Sequence, residues 1–238
     1  MVNAQVFSEE EKRGVYRAIY ERRDVRAQFL AEPVPAEVLG RILDAAHHAP
    51  SVGFMQPWDF IVIEDATVRR SIHENFERAN RRAAGIYAGE QRDAYERMKL
   101  AGILDAPLNL CVTCDPERAI GRGLGRQTDP ATSLYSTACA VQNLWLAARA
   151  ESLGVGWVSI LDLDELKSIL GIPVGHTPVA YLCIGYVSEF RPRPDLEESG
   201  WERRQSLASL VHFDHWMKRD KHYCAVLPPT ARETGEDA

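Results

Sequence analysis

The sequence predicts one domain that mixes helices with β-strands, and three observations predict it. Four short apolar runs, at 58–64, 108–114, 155–160 and 179–187, have the length and the Val/Ile content of strands. Between them lie longer stretches whose apolar residues recur at helical spacing. No internal repeat and no linker separates two halves. Of 238 residues, 45% are hydrophobic and 26% charged, which supports a packed core rather than a disordered chain. Acidic residues outnumber basic ones by 34 to 28, so a nucleic-acid partner is not expected. No apolar run reaches the length of a membrane span. The opening MVNAQVFSEEEKR has no apolar signal core, and the expected location is the cytoplasm.

The elements follow in order. Ser8 and Glu11 have capping-box spacing and start a helix towards Arg22, with Val15, Tyr16, Ile19 and Tyr20 as its apolar stripe. A second helix follows Pro35, turns Val38, Leu39, Ile42, Leu43 and Ala46 inward, and stops at Ala49-Pro50. The stretch 67–99 is helical in propensity and dense in Arg and Glu. It reads as a solvated excursion or, more sharply, as a mobile cover over a site. Residues 115–132 form a loop in which Gly121, Gly123 and Gly125 give GxGxG away from any strand-to-helix turn, so no dinucleotide fingerprint is assigned. The most apolar helix spans about 133–152, with Ala138, Val141, Leu144, Trp145 and Ala148 inward. Asp162 and Glu165 cap a short helix that Gly171 ends. Beyond Pro192 the chain becomes an arm, with Trp201, Leu207, Leu210, Val211, Phe213 and Trp216 as apolar anchors.

Five cysteines, an odd number, suggest free thiols. Cys111 and Cys114 form a CxxC on a predicted strand, where residues three apart face opposite sides, so they are read as core and not as metal ligands. His47-His48 and His212-x-x-His215 lack partner ligands, and no metal is expected.

Three segments carry residues suited to chemistry. Arg22, Arg23 and Arg26 place three guanidiniums within five residues, which suits a phosphate or a helix C-terminus. The segment 49–58 fixes a loop with two prolines and a glycine, and offers Ser51 and Gln56 as hydrogen-bonding groups. The segment 154–159 combines two glycines, which allow close backbone approach to a flat group, with Ser159 near a strand end.

Together RRDVR (22–26), APSVGFMQPW (49–58), LYSTACAVQNLWLAARAE (134–151) and GVGWVSI (154–160) resemble the FMN-dependent nitroreductase superfamily. Within it they resemble the branch that destroys flavin to form 5,6-dimethylbenzimidazole. The resemblance spans about 15–211. It implies an α+β fold, a central mixed sheet flanked by helices, and a homodimer with exchanged arms and FMN between the subunits. One domain over 1–216 is the simplest account of the chain, and the charged residues 217–238 read as a poorly ordered tail; under the resemblance 67–99 becomes a lid. Carried over by position, Arg22, Arg23, Arg26 and Arg204 hold the phosphate end, with Asp24 and Val25 among them. Ser51, Met55 and Leu100 line the flavin, and Trp157, Val158 and Ser159 meet its ring. The implied reaction fragments reduced FMN with O2 to the benzimidazole and erythrose 4-phosphate, for the lower ligand of vitamin B12. FMN is then the substrate, and NAD(P)H acts only through a separate flavin reductase. Asp24 is the implied base and Ser159 the implied hydroxyl near the reacting ring. Asp24 where ordinary nitroreductases often carry Ser, and Phe54 where they often carry Asn, point to that branch. The alternatives are an ion pair of Asp24 with Arg22 or Arg26 for the residue, and an NAD(P)H-dependent flavin or nitro reductase or a non-catalytic FMN-binding protein for the chain.

Overall fold

A computed structural model describes residues 6–218. Its contacts divide the chain into two compact units, Met1–Pro192 and Arg193–Ala238. The first unit holds α1 (Glu9–Glu21), α2 (Ala36–His47), β1 (Trp58–Ile63), α3 (Ala66–Ala84), α4 (Gly89–Arg97), β2 (Leu108–Cys114), α5 (Thr132–Ala150), β3 (Leu153–Val158), α6 (Leu163–Leu170) and β4 (Thr177–Tyr186). The second unit, as far as it is described, holds the single-turn helix α7 (Asp195–Glu198) and a 3-10 turn at Leu207–Ser209.

The sheet runs β1-β2-β4-β3, and every neighbouring pair of these strands is antiparallel. A parallel bridge between Asp24 and Val155 on the outer side of β3 gives the sheet its mixed character. Both faces are covered, which is why β2 is buried at every position, Asn109 and Thr113 included. Leu108, Leu110 and Val112 face one core with α2 and α5, where Ile42, Val141 and Leu144 are fully buried. Cys111 and Cys183 face the other core with Ile72, Phe76 and Leu166. The alternation of period two therefore separates Cys111 from Cys114, as the CxxC reading requires. Among the described residues no cluster of His, Cys, Asp or Glu is arranged to hold a metal. No described helix is long and apolar enough to cross a membrane.

Local chemistry sets the boundaries. The Ser8 hydroxyl accepts from Glu11 N, and the Glu11 carboxylate accepts from Ser8 N at 2.7 Å, which closes the capping box. Asp162 accepts from Glu165 N to start α6, and Gly171 ends it with φ 64°. The third strand begins at Leu153 rather than at 155 and ends at Val158, so Ser159 lies just beyond it in the turn to α6.

Three sequence expectations are revised. The stripe on α1 is not buried in the single chain: Val15, Ile19 and Tyr20 are 51%, 40% and 71% exposed. The residues 66–84 are not a solvated excursion. Helix α3 buries Ile72, Asn75, Phe76 and Ala79, because its charges fall on the opposite face. On α5, Ala138 is exposed and the buried stripe runs through Ser133, Thr137, Val141, Leu144 and Ala148 instead. In the second unit Leu207, Leu210 and Trp216 remain exposed in the single chain. The tail expected at 217–238 lies outside the described residues beyond 218.

Candidate active site

The end of α1 is fastened to α5 before the arginine segment begins. Arg149 pairs with the Glu21 carboxylate at 2.9 Å and lies 4.0 Å over the Phe190 ring. The Trp145 indole donates to Arg23 O at 3.3 Å, and the Arg22 guanidinium lies 4.9 Å from the centre of the Trp145 ring. The chain then leaves the helix in extended geometry and lies along β3, with Val25 N donating to Val155 O at 3.0 Å.

This contact explains the glycines of GVGW. A Cβ on Gly156 would run into Val25 O, and one on Gly154 into the Val187 and Val25 side chains. The close approach those glycines permit is to the protein's own segment at 24–25, rather than to a ligand as expected.

Asp24 is the junction. Its Oδ1 accepts from Trp157 N at 2.9 Å, and its Oδ2 accepts from Arg26 Nη2 at 2.7 Å and Nε at 3.2 Å. Of the two partners weighed for a structural ion pair, Arg26 is the one bonded. The Arg26 side chain is 14% exposed and that of Asp24 31%, so the pair is sheltered while the aspartate keeps some contact with solvent. Ser159 follows Trp157 by two residues, about 7 Å along an extended chain. The carboxylate and the Ser159 turn thus occupy one end of β3. Val158 is buried in the second core, Trp157 is half-buried, and Ser159 is exposed.

The other expected residues distribute unevenly. Arg23 gives four of its five N–H groups to backbone carbonyls: Arg191 O at 2.8 Å, Tyr20 O at 2.9 Å, Arg22 O at 2.8 Å, and Pro192 O. Here it clamps the chain rather than presenting a free guanidinium fork to a phosphate. Leu100 is half-buried beside Gly102, whose Cβ would meet the Phe29 ring and Arg26 O, so the 100–103 loop sits against the arginine segment. Arg204 is exposed on the second unit.

Ser51 and Met55 form a separate group. Ser51 Oγ accepts from Gln56 N at 3.0 Å, and Met55 is buried. Gly53, Phe54 and Gln56 all adopt positive φ, which is costly for the two that carry side chains. The loop holds this shape because it interlocks with residues 121–125. A Cβ on Gly53 would lie 2.8 Å from Leu124 O, and one on Gly121 would lie 2.5 Å from Gly53 O. The loop is tied to the start of α5 by Val52 N donating to Ser136 Oγ at 3.0 Å. Ser136 and Trp145 are nine residues apart on α5, so the two groups are separated by about 14 Å along that helix.

Sequence reading missed Arg118 and Asn75. Arg118 donates to Gln56 O at 3.0 Å and Trp58 O at 3.2 Å and pairs with Asp59, which straps the 115–126 loop onto the strained one. A single arginine in a loop examined only for glycine spacing carries no signal of this. Asn75 is fully buried and bonds the turn after β3. An Asn among the apolar positions Ile72, Phe76 and Ala79 was the available clue.

The nitroreductase family model matches residues 19–186. The chain is 46% identical over 184 residues to a 5,6-dimethylbenzimidazole synthase of Rhodospirillum rubrum, covering 77% of this chain and 87% of that one. It is 42% identical over 181 residues to a 5,6-dimethylbenzimidazole synthase of Rhodobacter capsulatus, covering 76% and 87%. Among solved structures, an oxidized iodotyrosine deiodinase bound to FMN and 3-iodo-L-tyrosine superposes with TM-score 0.68 at 23% identity, covering 85% of this chain and all of that one. The fold, the arginine segment laid on Gly-x-Gly and these matches lead to one conclusion: the chain belongs to the nitroreductase family.

Proposed function

We propose that the chain is an enzyme that fragments reduced FMN with O2, yielding 5,6-dimethylbenzimidazole and erythrose 4-phosphate for the lower ligand of vitamin B12. The observation that carries this reading is the likeness to the two synthases over most of their length. The chemistry of the residues fits the substrate. Arg22 and Arg26 supply cationic donors for a phosphate, while Leu100 and Trp157 supply apolar surface for the ring. Reduced flavin reacts with oxygen by its own chemistry, so no metal is called for.

The chain's residues then divide the work. Arg22 and Arg26 hold the phosphate end. Arg23 and Val25 hold the segment in register. Asp24 is the base for the ribityl carbon that the product retains, and its bonds to Trp157 N and Arg26 fix its direction. Ser159 is the hydroxyl that turns the reaction of the ring with oxygen towards fragmentation. Val158 anchors that turn in the core.

Ser51 and Met55 reach the same flavin from a second copy of the chain. The two groups lie about 14 Å apart along α5 within one chain, and the apolar face of α1 is left exposed. A homodimer accounts for both. Of the 67–99 segment α3 is packed in the core, so the cover that keeps water from the ring is the part beyond it, 85–99. The reduced FMN comes from a separate NAD(P)H-dependent flavin reductase. The expected setting is the cytoplasm, whose reducing conditions suit the four free described cysteines.

Asp24→Asn and Ser159→Ala test these roles. Both are expected to bind FMN within about threefold of the parent, yet to lose about 100-fold or more in benzimidazole formation, the usual size of a general-base contribution. Full product yield from both would refute the assignment. Rapid oxidation of NADPH by the pure protein would favour a flavin reductase instead.

A further inference from the structure

Asn75 is a fully buried polar residue on a helix face otherwise given to apolar packing. Its amide bonds in both directions to one residue. Asn75 Nδ2 donates to Asp162 O at 2.9 Å, and Asp162 N donates to Asn75 Oδ1 at 2.8 Å. A side chain that satisfies both backbone groups of a single residue fixes its place and its orientation together.

Asp162 stands three residues after Ser159. Between them Leu161 N donates to Ser159 O at 3.0 Å and closes a tight turn. The far end of the turn is held from α6, where Glu165 N donates to Asp162 Oδ1 at 3.1 Å and Leu166 N to Asp162 O at 3.0 Å. Two further links from α3 reach the same place, Arg82 to Asp162 Oδ2 at 3.4 Å and Arg78 to Glu165. The turn that carries Ser159 therefore hangs from α3, the helix that opens the charged 67–99 segment, and not from the sheet alone.

We infer that Asn75 is a positioning residue for Ser159. By holding the turn it decides between two outcomes for reduced FMN and oxygen. One is fragmentation, in which O2 is consumed and the reduced flavin leaves as the benzimidazole, erythrose 4-phosphate and the oxygenated pyrimidine remainder. The other is plain reoxidation, in which two electrons and two protons pass to O2 and leave oxidised FMN and hydrogen peroxide. The inference rests on the proposed function. Packing alone gives no reason for a buried amide at this position, where a residue like its neighbours Ile72 and Phe76 would fill the space.

The test compares Asn75→Leu and Asn75→Asp with the parent and with Asn143→Leu. Asn143 also bonds a carbonyl across helices, Ala45 O at 3.2 Å, and has no link to the turn. Three quantities are read: amide exchange at Leu161 and Asp162, FMN affinity, and the ratio of benzimidazole to peroxide per reduced FMN. Asn75→Leu is expected to exchange about tenfold faster at those amides and Asn75→Asp, which loses only the donor to Asp162 O, by a smaller factor; both are expected to lose about fivefold in product ratio with affinity nearly unchanged. Asn143→Leu is expected to keep the parental ratio. Should Asn75→Leu not fold, Asn75→Asp retains size and acceptor and carries the same readouts. A lowered melting temperature with an unchanged ratio, or unchanged exchange at the turn, overturns the inference while leaving the reaction intact. Peroxide without benzimidazole from the parent overturns the reaction and the inference together.

Discussion

Gly156 is the residue on which the arginine segment depends. Any side chain there meets Val25 O, so Gly156→Ala has to lift residues 24–25 off β3. Gly156→Ala is expected to cost about 1–3 kcal/mol, as overpacking does. FMN affinity should fall with it, because Asp24 and Arg26 lose their seat; urea unfolding and flavin titration read the two effects. Burial separates the cysteines equally clearly. Desolvation pushes the Cys111 and Cys183 thiols up to about 12, whereas Cys139 is exposed. Of the four described thiols, Cys139 alone should react with an aromatic disulfide at pH 8, with mass spectrometry locating the adduct. The sign of the linkage follows. Above about pH 8.5 the unfolded thiols ionise while the buried ones stay protonated, so stability falls as pH rises towards 12. Cys111→Val and Cys183→Val should flatten that alkaline loss in melting curves. The sequence revealed that Cys111 was core and that Asp24 sat among cations. It did not reveal that Arg23 turns away to carbonyls, because three adjacent guanidiniums look alike until the backbone path is known.

At the scale of elements, boundaries with a chemical cause were legible. The Ser8 capping box and the Asp162 to Gly171 helix fall where side-chain spacing places them. The role of α3 was not legible, since its many charges obscured a buried stripe that only the facing α6 and the sheet make necessary. Its start rests on Asp65, whose carboxylate accepts from Val68 N and Thr67 N, bonds that hold its pKa below the ordinary value. Asp65→Ala is expected to destabilise the fold through loss of this cap. A lowered folded pKa means that this stabilisation is present above about pH 4, the unfolded value, and is lost as pH falls through the folded one. Thermal melts of the parent and Asp65→Ala should therefore converge in acid. The strained loop at 53–56 was legible as a rigid connection from its prolines and glycine. Its lock against 121–125 was not, because that contact joins segments some seventy residues apart.

For the whole molecule, the exposed face of α1 and the division of candidate residues between the two ends of α5 lead to the same expectation. Ile19→Glu with Tyr20→Glu should convert a dimer to a monomer in sedimentation. FMN affinity should fall with it by about tenfold or more, although Arg22, Asp24 and Ser159 are untouched. A monomer that binds FMN as the parent does would place the flavin site within one chain. The sequence carried the family through four short segments in order. The two-unit division and the packing of α3 needed the folded chain, since both depend on contacts that no local pattern records.

The central claim is that reduced FMN is consumed rather than recycled. The direct measurement mixes the pure protein with chemically reduced FMN in air and resolves the products by chromatography and mass. The expected products are 5,6-dimethylbenzimidazole and erythrose 4-phosphate, with a matching loss of flavin. Quantitative recovery of oxidised FMN would contradict it.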